Sequence, residues 1–255
     1  MNNVITIFRK ELKSYFSSPI AYLLMAMFAV LFGFFFWNAV GYFVSISLRS
    51  QMSGQSMPMD VNEMIIRPLL MNVSVIGLFL IPLIAMRLFA EEKRSGTIEL
   101  LLTSPIHDME IIVGKWLAAT ILYACLLGIS ALNILFLFAY GQPDWKPLLI
   151  GYLGLILQAS GLLAIGAFIS TMTKNQIIAG AVTFGVCLML WVQEWVAGYE
   201  TATWATVLSY MSVVRHFEPF SKGVIDTRDL VYFASVIFLG LFLTARSLES
   251  LRWRS

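Results

Sequence analysis

Long stretches without a single charge leave this chain little choice of solvent. A helix rises 1.5 Å per residue, so a hydrocarbon core of about 30 Å takes about 20 apolar residues to cross. Residues 14–48, 68–86, 116–143, 147–173 and 175–193 approach or exceed that length without Lys, Arg, Asp or Glu. A sixth stretch, 230–245, is shorter; it spans when Tyr232 and the flanking Arg228 and Arg246 settle at the interfaces. Residues 201–214 are also uncharged but reach only about 21 Å as a helix, which fits a re-entrant or interfacial segment. Composition agrees. The chain is 59% apolar and 13% charged, against about 25% charged in a soluble domain.

Lysine and arginine placement tests the count. With six spans, one side holds Arg9, Lys10, Lys13, Arg87, Lys93, Arg94, Lys115, Lys174, Arg246, Arg252 and Arg254. The other holds Arg49, Arg67, Lys146, Arg215, Lys222 and Arg228. Basic residues favour the cytoplasm, so both termini and the loop between spans 2 and 3 are expected there. Counting 201–214 as a seventh span would strand the basic C-terminal tail outside.

The expected fold is therefore an all-α membrane protein with six transmembrane helices, at 20–44, 68–88, 116–141, 147–172, 175–196 and 229–246. Residues 1–19 are expected as an amphipathic interfacial helix, because Val4, Ile5, Phe8, Leu12, Tyr15 and Phe16 oppose Arg9, Lys10 and Lys13. No cleavable signal peptide is expected there. Residues 89–115 are expected to form a cytoplasmic loop, 198–228 an external re-entrant region, and 1–255 a single domain. The polar 45–67 segment reads as a flexible external loop. Cys125 and Cys187 sit in apolar runs and read as packing residues. Gly161, Gly166, Ala181 and Gly185 read as close-packing positions. Asn38, Asn72, Asn133, Gln158 and Gln193 either line a path or tie helices together.

Catalytic chemistry finds little here. There is no G-x-x-x-x-G-K-[ST]: Gly114-Lys115-Trp116 lacks the upstream glycine and the hydroxyl, so no ATP-binding P-loop is expected. The two histidines, His107 and His216, fall on opposite sides of the membrane, which leaves a metal site or a Ser/His pair without its second half. Charges bordering the spans, Arg87 and Glu194, sit near span ends where snorkelling accounts for them. A net charge of +2 says nothing for nucleic acid. No catalytic residue, metal or cofactor is expected in this chain, and energy would come from a partner. In the external stretch, acids among Asp226-Thr227-Arg228-Asp229 can cap the sixth helix. His216 reads as a pH-sensitive gate or, more plainly, a solvated or hydrogen-bonded loop side chain.

The loop FAEEKRSGTIELLLTSPIHDMEIIVGKW, 89–116, is too structured for a topological anchor. The second span can continue as helix past Arg87 into Glu91-Glu92-Lys93-Arg94, Gly96 permits a tight turn, and Thr97 can cap the next segment. Ile98, Leu100, Leu101 and Leu102 are apolar outside the bilayer core, and Ser104-Pro105 can start a further helical turn. Leucines beside Glu91, Arg94 and Glu99 suit a docking surface with an apolar centre and charged rim. Residue types alone leave open the alternative that the leucines dip into the lipid interface.

EEKRSGTIELLLTSPIHDMEIIVGK resembles the signature of ABC-2 type permeases, membrane subunits of one class of ATP-binding-cassette transporters. FRKELKSYFSSPIAYL near the N-terminus and HFEPFSKGVIDTRDLVYF, 216–233, resemble the gliding-motility permease group and its relative in copper-dependent nitrous oxide reductase maturation. The resemblance implies an element coupling to an ATPase, carried by Glu91, Glu92, Arg94, Gly96, Thr97, Glu99, Leu101, Leu102, Ser104 and Pro105. It implies as partners two ABC ATPase subunits, which bind the ATP and Mg, and a second copy of the chain or a related permease. It further implies membrane lipid around the spans, no nucleic-acid partner, and a location in the inner (plasma) membrane. The function implied is an ABC-2 type permease subunit, an exporter. The alternative is a membrane scaffold that passes ATPase-driven force to surface or maturation machinery without moving a solute.

Overall fold

In lipid, backbone N–H and C=O groups must pair within their own segment, and the chain answers with helices. A computed structural model describes residues 2–53, 60–99, 106–140, 143–198 and 203–252, and these contain no strand. In order the helices are α1 (Asn2–Ser17), α2 (Pro19–Ser53), α3 (Arg67–Ala85), α4 (Ala90–Ser95) and α5 (Asp108–Tyr140). They continue with α6 (Trp145–Met172), α7 (Gln176–Gly198), α8 (Thr203–Met211), α9 (Val213–Ser221) and α10 (Thr227–Arg252). A π-helical turn, Asn62–Ile66, leads into α3. Among the described residues six stretches are long and apolar enough to cross a membrane: α2, Asn62–Ser95 with α3 at its centre, α5, α6, α7 and α10.

The interior is built on α3 and α6, whose most apolar windows are 67% and 56% buried, against 22% for α2 and α7 and 17% for α10. Helix α6 touches α3, α5, α7, α9 and α10. Glycines permit these approaches. A Cβ on Gly166 would lie 2.4 Å from the Ala85 Cβ, and one on Gly154 would lie 2.6 Å from Phe220. A Cβ on Gly240 of α10 would meet the Ala164 carbonyl carbon at 2.7 Å. Apolar side chains gain little by leaving lipid for one another, so close van der Waals fit supplies the attraction. Gly161 also faces a neighbour, Val236. Ala181 is exposed and Gly185 faces open space, so neither sets a crossing. Gln158 and Ser74 hydrogen-bond through both of the glutamine's polar atoms, at 2.9 and 2.8 Å, tying α6 to α3. Asn38 and Asn133 instead bond to their own helices.

Two local expectations change. The 45–67 segment is mostly helical: α2 runs on to Ser53, because the first strong breakers are Gly54 and Pro58, and Asn62–Ile66 is a π-turn. Residues 54–59 lie outside the described residues. The second span does not continue straight past Arg87 but breaks into turns at 86–89. The 201–214 stretch, too short for a span, contains the short α8 and the start of a second short helix, α9, separated at Ser212.

Candidate functional site

The break after α3 has a physical cause in another helix. The Ser170 hydroxyl on α6 accepts from the Phe89 and Ala90 N–H groups, at 3.0 and 2.9 Å, and donates to the Met86 carbonyl. It thereby satisfies donors that open the new helix α4. One turn on, Lys93 donates to the Thr171 carbonyl, again on α6. Gly96 closes α4 with φ +75°, a left-handed conformation that suits glycine. Ser95 and Thr97 share a hydroxyl–hydroxyl bond of 2.8 Å across this turn.

Gly114-Lys115-Trp116 each reach a different neighbour. An added Cβ at Gly114 would lie 2.9 Å from Ile7, so this glycine lets α1 lie flush on α5. Trp116 donates its indole N–H to the Ser160 carbonyl on α6, at 2.9 Å. Lys115 is 3% exposed; its Nζ sits 3.1 Å from Glu11 on α1 and 2.8 Å from Glu92 on α4, over the Phe89 ring. A buried cation without partners would be costly, so the two carboxylates and the lysine specify one another. Arg87 pairs with Glu91, and Asn3 donates to Glu110, fixing the start of α1 to the first turn of α5. Between α1 and α4 lies a charged cleft of about 460 Å³, lined by Lys10, Glu11, Arg87, Glu91, Glu92 and Thr97 among others.

The residues expected from sequence divide into three groups. Glu91 and Glu92 are engaged by Arg87 and Lys115. Arg94, Gly96, Thr97 and Glu99 are exposed. Leu101, Leu102, Ser104 and Pro105 lie outside the described residues. Sequence reasoning missed Lys115, Glu11 and Ser170. A signal existed for the first: a lysine inside IIVGKWLAA needs a carboxylate, although nothing local says which.

Burial would raise the Glu11 carboxyl, but Lys115 and Lys10 outweigh it and hold the group below its ordinary value of 4.5. A depressed value in the folded state stabilises the fold above the unfolded value, and that stabilisation is lost as pH falls through the folded value. Acidification below about pH 4 is therefore expected to loosen α1. Amide hydrogen exchange over 2–17 should rise there more than over α3, and Glu11→Gln should flatten the difference. Equal behaviour of the two segments in the wild type would contradict it.

At the opposite end of the bundle, Arg67 bridges Glu63 and Glu218, and Lys222 adds a second cation to Glu218, joining α3 to α9. The Lys222 hydrogen bond leads the causes that hold the Glu218 carboxyl below its ordinary value. Asp226 Oδ1 accepts the Arg228 N–H at 2.9 Å and so caps α10. Asp229 is not a cap; it turns inward to His216. Among the described residues no His, Cys, Asp and Glu cluster could hold a metal, and both cysteines are free.

Six membrane-length helices and a short helix braced beside them are joined by a direct family match. Residues 5–244 match the family described as ABC-2 family transporter protein, and the chain belongs to that family. It is a multi-pass membrane protein of the ABC transporter permease class. Among curated proteins it is similar to the probable multidrug ABC transporter permease YbhR of Escherichia coli K12 and of Escherichia coli O157:H7. Identity to each is 23% over 169 residues, which is 65% of this chain. The matched part covers only 44% of each relative's length.

Proposed function

We propose that the chain is the transmembrane permease subunit of an ABC-2 exporter and couples to a separate ATPase through α4 and the loop after it. ABC-2 permeases generally work with ATPase partners. The single observation that carries the reading is the bracing of α4. Ser170 and Thr171 hold it to α6, and Glu92 reaches α1 and α5 through Lys115. A push on α4 would therefore pass to three helices at once, while Arg94, Thr97 and Glu99 stay exposed for a partner.

Two ATPase subunits would bind ATP and Mg, and two permease copies or a related pair would face each other. ATPase closure would move the α4 units and rock the spans between inward- and outward-facing states. The side bearing both termini would be cytoplasmic, in the inner membrane. The stretches at 8–23 and 216–233 support placement near the gliding-motility and nitrous oxide reductase maturation permeases. Similarity to a probable multidrug permease supports export.

Co-purification from native membranes tests this. The wild-type chain is expected to carry a P-loop ATPase, identified by mass spectrometry, and the Glu99→Lys, Leu101→Asp double variant to lose it while inserting and melting like the wild type. Absence of an ATPase from both would sink the reading. An ATPase without solute movement in vesicles would favour the scaffold.

A further inference from the structure

His216 is 3% exposed and uses both ring nitrogens. Nδ1 lies 2.7 Å from Oδ1 of Asp229, and Nε2 lies 2.8 Å from the Tyr210 carbonyl oxygen. A carbonyl oxygen only accepts, and so does an ionised carboxylate. A neutral imidazole carries one N–H. With an ionised Asp229 it would leave one bare nitrogen lone pair pressed against an oxygen at hydrogen-bond distance. Two arrangements satisfy both contacts: imidazolium with carboxylate, or neutral imidazole with the carboxylic acid of Asp229 donating to Nδ1. Both contain the same number of protons, one more than neutral imidazole with carboxylate.

We infer that His216 and Asp229 form a proton-binding latch that fastens α8 and α9 to the start of α10 and opens when the shared proton leaves. The fastening spans three elements. His216 on α9 holds the Tyr210 carbonyl at the end of α8, and Tyr232 on α10 donates its hydroxyl to the adjacent Met211 carbonyl at 2.8 Å. The Tyr232 ring stacks on the imidazole with centroids 3.8 Å apart, and the Tyr210 ring meets it edge-on.

Among the described residues, the titratable groups in contact with His216 are Asp229 and Tyr232 from α10 and Tyr210 from α8. On α9 itself, Arg215 is taken by Ser209, and Glu218 by Arg67 and Lys222. From α6, the Tyr152 hydroxyl is taken by Ser130. No cation on these elements contacts Asp229 in place of the imidazole. Its second oxygen, Oδ2, is buried with no partner among the described residues, and the residue is 6% exposed. Loss of the proton to water thus leaves a buried net negative charge and one contact between two acceptors. Water must enter to solvate them, and α8 and α9 have to part from α10 to admit it. This inference is independent of the ATPase reading, and its test needs no partner.

The experiment is amide hydrogen exchange of the full chain in lipid nanodiscs from about pH 5 to about pH 9, expressed as protection against intrinsic rates. Protection of 203–221 in the wild type is expected to fall on the order of tenfold as pH rises, with α3 unchanged. In Asp229→Asn the amide can donate to Nδ1 while Nε2–H donates to Tyr210. That set has no proton to lose, so protection should stay high throughout. Nitrogen NMR of histidine-labelled chain, with His107→Gln leaving one histidine, supplies a readout that needs no change at the latch. One proton should leave the pair over the same pH interval in which protection falls. Flat wild-type protection, an Asp229→Asn variant as pH-sensitive as the wild type, or a single ring proton beside ionised Asp229 with the segment still protected would each overturn the latch.

Discussion

Replacing Lys115 by Met is expected to destabilise the fold by about 3–5 kcal/mol, the range for removing one partner of a buried ion pair. Glu11 and Glu92 have side chains only 14% and 15% exposed, so without the lysine neither carboxylate recovers full hydration. The loss should be concentrated where α1 and α4 meet α5, and exchange in 2–17 and 90–95 should rise together. The triple variant Lys115→Met, Glu11→Gln, Glu92→Gln is expected to recover much of the loss, because no unpaired charge then stays buried. Thermal unfolding of the purified chain in detergent measures both. A triple variant no more stable than the single one would show that lysine packing, not charge pairing, carries the site.

Gly240→Ala should have the second large effect, with a sign opposite to the usual one. Alanine ordinarily favours a helix over glycine by about 1 kcal/mol. At Gly33 of α2, where an added Cβ meets nothing within 4 Å, the same change should be neutral or mildly stabilising. At Gly240 the new methyl would lie 2.7 Å from the carbonyl carbon, 2.8 Å from the Cβ and 2.9 Å from the oxygen of Ala164. Those are backbone-anchored atoms that cannot swing aside, so α10 and α6 must separate, at about 1–3 kcal/mol. Unfolding midpoints of the two variants, compared side by side, decide it. Equal shifts at Gly33 and Gly240 would mean that the α6–α10 crossing is not close-packed.

The spans were legible because their signal is length: 147–173 is uncharged for longer than a bilayer requires, and α6 covers Trp145–Met172. What could not be read depends on partners far along the chain. The break at 86–89 is imposed by Ser170, more than eighty residues away, and no residue within the segment announces it. Arg94 and Glu99 were visible as polar residues beside apolar ones, whereas the fastening of Glu92 was not. Its lysine partner lies in the next helix and shares that lysine with Glu11, in the first. His216 shows the same limit. Its isolation in sequence suggested an ordinary loop side chain, yet the fold brings Asp229 and Tyr232 against it from the next helix.

Helix α2 is 35 residues long, about 52 Å. Even at a tilt of about 40°, the steep end of the usual range, a core of about 30 Å hides only about 39 Å of helix. Roughly two turns must therefore stand clear of the hydrocarbon. The overhang belongs at the end carrying Ser45, Ser47, Arg49, Ser50 and Gln51, where Met52 is 90% exposed. A stiff post thus rises beside the π-turn Asn62–Ile66. Any broad body approaching that face of the membrane would be held off by its height, while slender molecules would still reach the surface beneath.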